Sequence, residues 1–134
     1  MMKNILCSTI ILLMLGSCEI EQKETSNFDP SFVHVVYFWL KDPGNMEDQK
    51  ALEASLEKFM LNSKYAQTKF VGVPPKASRE VVDDSFSYNL VLTFASAEEQ
   101  ELYQNEEAHL LFIEESKDLW ERVVVYDANG LAPK

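Results

Sequence analysis

The order of apolar patterns along this chain predicts an α+β domain, with helices laid on one face of a single antiparallel sheet. Three observations point to it. Two segments, "FVHVVYFWL" and "FSYNLVLTF", carry the β-branched and aromatic residues and the two-residue alternation of strands. Between them, Met46 to Asn62 repeats its apolar residues at helical spacing. After a further helical region, "RVVVYDA" returns to strand character. The elements read β-α-β-β-α-(α)-β, the ferredoxin-like split arrangement βαββαβ.

Phe32 to Leu40 is apolar on both faces, so this strand belongs in the centre of the sheet or under cover on both sides. His34, Val36, Phe38 and Leu40 share one face, and Val33, Val35, Tyr37 and Trp39 share the other. "KDPGN" makes a turn, and Asn45 stands where an N-cap is needed for a helix beginning at Met46. Leu52, Leu56, Phe59 and Met60 fall at i, i+4, i+7 and i+8 and form one buried stripe. "TKFVGV" is a short strand stopped by Pro74 and Pro75, which cannot donate to a ladder, and "PPKASREVVDDS" reads as a long loop. From Phe86 to Phe94, alternate residues Phe86, Tyr88, Leu90, Leu92 and Phe94 face inward, against Ser87, Asn89, Val91 and Thr93. Ser96 and Glu99 form the capping box of a helix that runs to about Tyr103. A further helix is expected from Ala108 to Leu119, with Leu111, Phe112 and Leu119 inward, before the last strand. These helices cover one sheet face. The other would be a bare apolar patch too large for a stable monomer, so a homodimer is expected.

The chain begins "MMKNILCSTIILLMLGSCEIEQ". A positive Lys3, an apolar run from Ile5 to Leu15 and small residues behind it have the anatomy of a signal peptide, too short to span a bilayer. Leu15-Gly16-Ser17-Cys18 resembles a lipobox, at which a diacylglycerol is attached to the cysteine thiol and the leader removed. Residues 1–17 are then the signal peptide and Cys18 the lipidation site of a bacterial envelope lipoprotein. Each buried methylene of its acyl chains would contribute about 0.8 kcal/mol to membrane attachment. Residues 18–31 are polar and acidic and read as a flexible tether. Glu19, Glu21 and Glu24 loosely match an acidic signal for display on the cell surface; otherwise the protein faces the periplasm. The folded domain occupies residues 32–128, and 129–134 form a tail.

Cysteine usage narrows the chemistry. Cys7 lies in the leader and Cys18 would be acylated, so the mature chain has neither a free thiol nor a disulfide. Thiolate catalysis and thiolate metal sites are excluded. The net charge is −10, and the leader removes one lysine and no acid, which argues against a nucleic-acid partner and against a polybasic membrane patch. The four glycines are scattered, so no phosphate-cradling loop is present.

The blocks "HVVYFWLK", "VGVPPKASREVVDDSFSYNLVLTFAS", "YQNEEAHLLF" and "LWERVVVYD", in this order and at this spacing, resemble the stress-responsive dimeric α/β-barrel (Dabb) family. The resemblance covers Val33 to Ala128. It implies that two protomers bring their open sheet faces together into one eight-stranded barrel. Some plant members are polyketide cyclases, in which a histidine on the first strand and one after the second helix face a pocket with a tyrosine nearby. His34, His109 and Tyr103 stand at the matching positions, which implies a His-dependent cyclase or isomerase type of enzyme with these three as catalytic residues. The family's His-Pro ahead of the second histidine is replaced here by Glu106-Glu107, a more acidic loop where a substrate would pass. A haem-degrading monooxygenase on the same barrel fold is a further alternative, resting on the histidines alone.

From the residues themselves, histidine has the ordinary pKa of an acid or base near neutrality, and a second histidine or a tyrosine could stabilise a developing enolate. The plainer reading makes His34 a satisfied strand histidine and His109 a solvated helix start. Glu106, Glu107 and the histidines lack the spacing of a metal site, and no cofactor is expected. Asp127 reads as a capping or turn acid, Tyr88 and Trp39 as core, and Lys76 and Arg79 as a solvated loop. The sequence therefore leads to a membrane-anchored domain of unassigned reaction that binds a small apolar ligand in a cleft beside two histidines, His34 the more buried. Burial should lower the pKa of His109, and Glu106 and Glu107 should raise it.

Overall fold

The computed structural model describes residues 31 to 131. The expected lipobox at Cys18, the expected leader and residues 18–30 of the expected tether lie outside them. The elements are β1 (Phe32–Leu40), α1 (Met46–Asn62), β2 (Lys69–Gly72), β3 (Tyr88–Phe94), α2 (Ala97–Gln104), α3 (Glu107–Ser116) and β4 (Trp120–Asn129). The strands form one antiparallel sheet in the order β2-β3-β1-β4. This is the ferredoxin-like α+β arrangement, with β1 central as its two-sided apolar pattern requires.

Local chemistry fixes the helix starts. The Asn45 side chain accepts from the amides of Glu47 at 2.9 Å and Asp48 at 3.4 Å, satisfying two donors that α1 cannot bond internally. Ser96 accepts from the Glu99 amide at 3.2 Å and does the same for α2. α3 has no such side-chain cap. Where α1 ends, Lys69 reaches across from β2 and donates to the carbonyls of Met60 at 2.6 Å and Ser63 at 2.8 Å. A cation there meets the negative end of the helix dipole, and burial holds its pKa below the ordinary lysine value.

One sheet face carries the core. Phe32, Val36, Phe38 and Leu40 of β1 and Tyr88, Leu90, Leu92 and Phe94 of β3 pack with Leu52, Leu56 and Phe59 of α1, Tyr103 of α2 and Phe112 of α3. Met60, expected in the α1 stripe, lies at its margin. The opposite face holds Val33, Val35, Tyr37 and Trp39, each half-buried. It also holds Val124 and Tyr126, register partners of Tyr37 and Val35.

Four expectations are corrected. α3 stops at Ser116, three residues short of Leu119, because residues 117–119 must turn the chain into β4; Leu111 is exposed and only Leu119 of that turn packs on the core. β3 begins at Tyr88, and Phe86 crosses to the open face, its ring centroid 4.9 Å from that of Tyr37. The Ser87 amide donates to the Phe38 carbonyl and the Ser87 hydroxyl accepts from the Leu40 amide, so the chain bends before the ladder starts. Thr93 is fully buried although it belongs to the outer set. The incoming segment crosses it, with Gln67 and Thr68 donating to its carbonyl and hydroxyl. β4 starts at Trp120, ahead of Arg122, and a register shift opposite Trp39 and Leu40 sets Glu121 out of the ladder. This irregularity turns Trp120 onto the helix-covered face, where its ring lies 5.1 Å from Phe38 and 5.8 Å from Phe112.

Candidate functional site

The helix layer ends before it reaches β4, and a cavity of about 400 Å³ lies in the gap. Its walls come from alternate residues of β1 (His34, Val36, Phe38), the paired residues of β4 (Val123, Val125, Asp127), Trp120, and the inner sides of α2 and α3. His34, Tyr103 and His109 all line it. The structure thus brings the three sequence-predicted residues into one cleft. His34 is the more buried histidine, 6% exposed, and His109 is half-buried.

Strand register places a fourth residue there. Asp127 stands directly opposite His34 across the β1–β4 ladder, and Asp127 Oδ1 lies 2.5 Å from His34 Nδ1. This corrects the reading of Asp127 as a turn-forming acid. A carboxylate accepts, so Nδ1 carries the hydrogen, and in the neutral ring Nε2 keeps the lone pair. The signal was present in the sequence only as a parity: Asp127 shares its face with Val125 and Val123, but the pairing partner of that face depends on the antiparallel register.

His109 is fixed in the same tautomer by a different group. Its Nδ1 lies 3.0 Å from the Gln104 carbonyl at the end of α2, and a carbonyl can only accept. Burial lowers the His109 pKa below the ordinary histidine value. Its hydrogen bond to Gln104 and the charge of Glu106 oppose the shift, while His34 adds to it. The expected upward pull of Glu107 is absent among these causes: Glu107 is exposed on the far side of α3. Glu106 is likewise absent from the cleft walls. Its side chain is buried, Oε2 accepts from the Lys64 amide at 2.9 Å, and Oε1 is buried without a partner. Glu106 therefore ties the start of α3 to the segment after α1, and neither it nor Glu107 lines the cleft.

Tyr103 sits between the two histidines, with ring centroids 5.7 Å from His34 and 4.5 Å from His109, and Phe94 and Phe59 behind it. Burial, and then the charges of Glu106 and Asp127, push its pKa well above the ordinary tyrosine value, so it remains a hydrogen-bond donor across the physiological range.

The other singled-out residues lie elsewhere. Tyr88 donates to Glu53 at 2.7 Å, and burial with this bond pushes its pKa up to about 12. Trp39 lies on the open face beneath the Arg122 guanidinium, 4.2 Å from the ring centroid. Lys76 and Arg79 are exposed. No group of three or more potential metal-ligating side chains, and no helix long and apolar enough to cross a membrane, occurs among the described residues.

Comparison with known proteins places this geometry in context. The sequence profile described as the Stress Responsive A/B Barrel Domain (Dabb) matches residues 32–129. Among solved structures, a hydroxynitrile lyase from Passiflora edulis aligns with a TM-score of 0.65 and 18% identity, over 79% of this chain and 99% of its own. A Dabb family protein with a ferredoxin-like fold from Mesorhizobium loti aligns at 0.62 and 16% identity, covering 75% and 97%. A dimeric protein of unknown function with a ferredoxin-like fold, from Bacteroides fragilis, aligns at 0.60 and 16% identity, covering 77% and 99%. No curated protein matches the sequence.

Proposed function

Because this chain belongs to the Stress Responsive A/B Barrel Domain (Dabb) family, we propose that its cleft binds a small, largely apolar molecule and moves a proton on it, as an isomerase- or cyclase-type enzyme does. The observation that carries this reading is the 2.5 Å contact between His34 and Asp127 on the wall of a cavity that Tyr103 and His109 also line. Asp127 holds the imidazole by its Nδ1–H, so His34 Nε2 is left as the base. It removes a proton from a carbon beside a carbonyl; the electron pair moves onto the carbonyl oxygen, and the Tyr103 hydroxyl donates a hydrogen bond to that oxygen. The same Nε2–H returns the proton to carbon in the product, or the enolate carbon bonds to a second carbonyl carbon within the molecule, whose π pair moves onto its oxygen and takes the Nε2 proton. His109, neutral with Nδ1 committed to Gln104, offers Nε2 as a second acceptor for a substrate hydroxyl. The Passiflora edulis structure, a hydroxynitrile lyase by name, supports the view that this fold accommodates enzymes acting on small molecules.

The proposal includes the assembly and the anchor. The half-buried Val33, Val35, Tyr37 and Trp39, with Tyr126 beside them, are covered by a second copy of the chain, giving a homodimer. Cys18 carries the lipid that holds the dimer on the envelope membrane.

Exchange of the α-protons of small aromatic ketones into deuterated water, followed by NMR, tests the chemistry. Catalysed exchange with wild type, at least about 100-fold slower in His34→Ala, is expected for a general base. Exchange that His34→Ala leaves untouched would remove His34 from the reaction. Binding without any exchange would leave a ligand carrier in place of an enzyme. For the anchor and assembly, Cys18→Ala should release the protein from membranes, and the soluble form should sediment at twice its chain mass.

A further inference from the structure

The cavity is polarised from end to end, and three chain segments agree on the direction. β1 presents His34, then Val36, then Phe38. β4, antiparallel to it, presents Asp127, Val125 and Val123 opposite those three residues, followed by Trp120. α3 starts at the same end with His109 and continues through Phe112 and Ile113. Hydrogen-bonding groups therefore gather at one end, with Tyr103, Gln100 and Gln104 of α2 beside the histidines. The other end is aromatic and aliphatic. Phe38 lies four residue steps along the strand from His34, so the gradient runs over roughly 13 Å.

Charge is equally one-sided. No lysine or arginine lines this cavity among the described residues, and its one carboxylate is Asp127, which is 43% exposed in its side chain. The N-terminus of α3, whose free amides could attract an anion, is already faced by Glu106 and Glu107. A ligand carboxylate or phosphate would give up its hydration in a partly closed apolar site, meet the like charge of Asp127, and find no cation to answer it.

We propose, on the reading that this cleft is the ligand site, that its substrates are uncharged amphiphiles. A carbonyl or hydroxyl head lies among His34, Tyr103 and His109, and an aryl or alkyl body of bicyclic size runs along β4 to Trp120. Carboxylates and acyl phosphates of the same shape are rejected. The volume of about 400 Å³ accommodates such a molecule.

The test uses matched probes: 2-acetylnaphthalene and 2-naphthoate, which share ring and shape and differ in charge, and acetophenone, which has the head and a shorter body. Affinity is measured at pH 7.5 by titration calorimetry on the wild-type protein. The ketone should bind at least about tenfold more tightly than the carboxylate, since burying an unpaired charge costs more than burying a hydrogen-bonded carbonyl. It should bind about tenfold more tightly than acetophenone, through the buried area of its second ring. Asp127→Asn, which keeps the size and an acceptor for His34, should narrow the gap between ketone and carboxylate. Trp120→Leu should narrow the gap between naphthyl and phenyl while leaving the charge preference intact, and Val125→Ser does the same should the tryptophan variant fold poorly. Equal or tighter binding of 2-naphthoate overturns the charge inference alone. An unchanged naphthyl-to-phenyl ratio in both tail variants overturns the orientation. Failure of every probe to bind wild type overturns the cleft as a ligand site, and this inference with it.

Discussion

Over β2, β3 and β1 the helix layer is packed solid: Leu52, Leu56 and Phe59 of α1 lie with Leu90, Leu92 and Phe94, and almost nothing of these side chains reaches solvent. Over β4 the same layer is hollow, and Val123 and Val125 remain 38% and 47% exposed although they are on the covered face of the sheet. The difference follows from where the helices are tied. α1 runs for 17 residues, whereas α2 and α3 have 8 and 10. α3 is held to α1 by Ser55 and Lys58, which donate to Glu115 at 2.9 and 2.6 Å, and to the segment after α1 by the Lys64 amide on Glu106. These ties pull α3 toward α1, and its other tie, His109 to the Gln104 carbonyl, holds it to α2 and not to β4. Toward β4 it offers only apolar side chains and His109, and the space between them is the cleft. A core and a binding site can thus share one sheet face, separated by how far a helix is pulled.

The largest effect that distinguishes the two halves should come from truncation. Phe59→Ala removes a ring from the solid half and should cost about 3–5 kcal/mol in urea unfolding. Val125→Ala, lining the hollow half, should cost less than about 1 kcal/mol because its side chain is already half in water. Equal losses would mean that the cleft is packed as core in solution.

A smaller effect should come from the cap that starts the longer helix. Asn45→Ala frees the amides of Glu47 and Asp48 and should lower stability by about 1 kcal/mol. Because α1 belongs to the solid half, ligand affinity in the cleft should stay unchanged. A loss of affinity matching the loss of stability would show the two halves to be coupled.

The smallest effect concerns pH. Burial holds the His109 pKa below 6.5, its ordinary value, so the unfolded chain takes up this proton more readily than the folded one. Stability from this site is therefore fully present above the unfolded value and declines as pH falls through 6.5 toward the folded pKa. Wild type should lose more stability than His109→Asn between pH 7.5 and 5.5, a difference that isolates His109 from the carboxylates titrating in both proteins. NMR titration of the imidazole carbons should give His109 a pKa below 6.5. A value above 6.5 would mean that Glu106 and the Gln104 carbonyl outweigh burial, and would reverse the sign of the slope.

Sequence periodicity alone settled the elements whose signals are local. The two-residue alternation in β1 put His34 on the face of Val36 and Phe38, the 3.6-residue stripe set α1, and the side chains of Asn45 and Ser96 marked two helix starts; each depends on residues within a turn or two. Tyr103 and His109 were brought to notice by family resemblance, since neither periodicity nor spacing joins a helix end to a strand more than sixty residues earlier. What only the tertiary structure decided are the facts that depend on pairing between distant segments. Asp127 became the partner of His34 through the antiparallel register of β1 and β4. Trp120 reached the cleft because one irregularity at Glu121 reversed its face, and a single-residue shift in a strand moves every side chain beyond it to the other side. Glu106 and Glu107 are absent from the cleft walls because α3 is tied to α1. Local sequence fixes which way a side chain points along its own element; what it points at is set by the packing of elements that only the folded chain brings together.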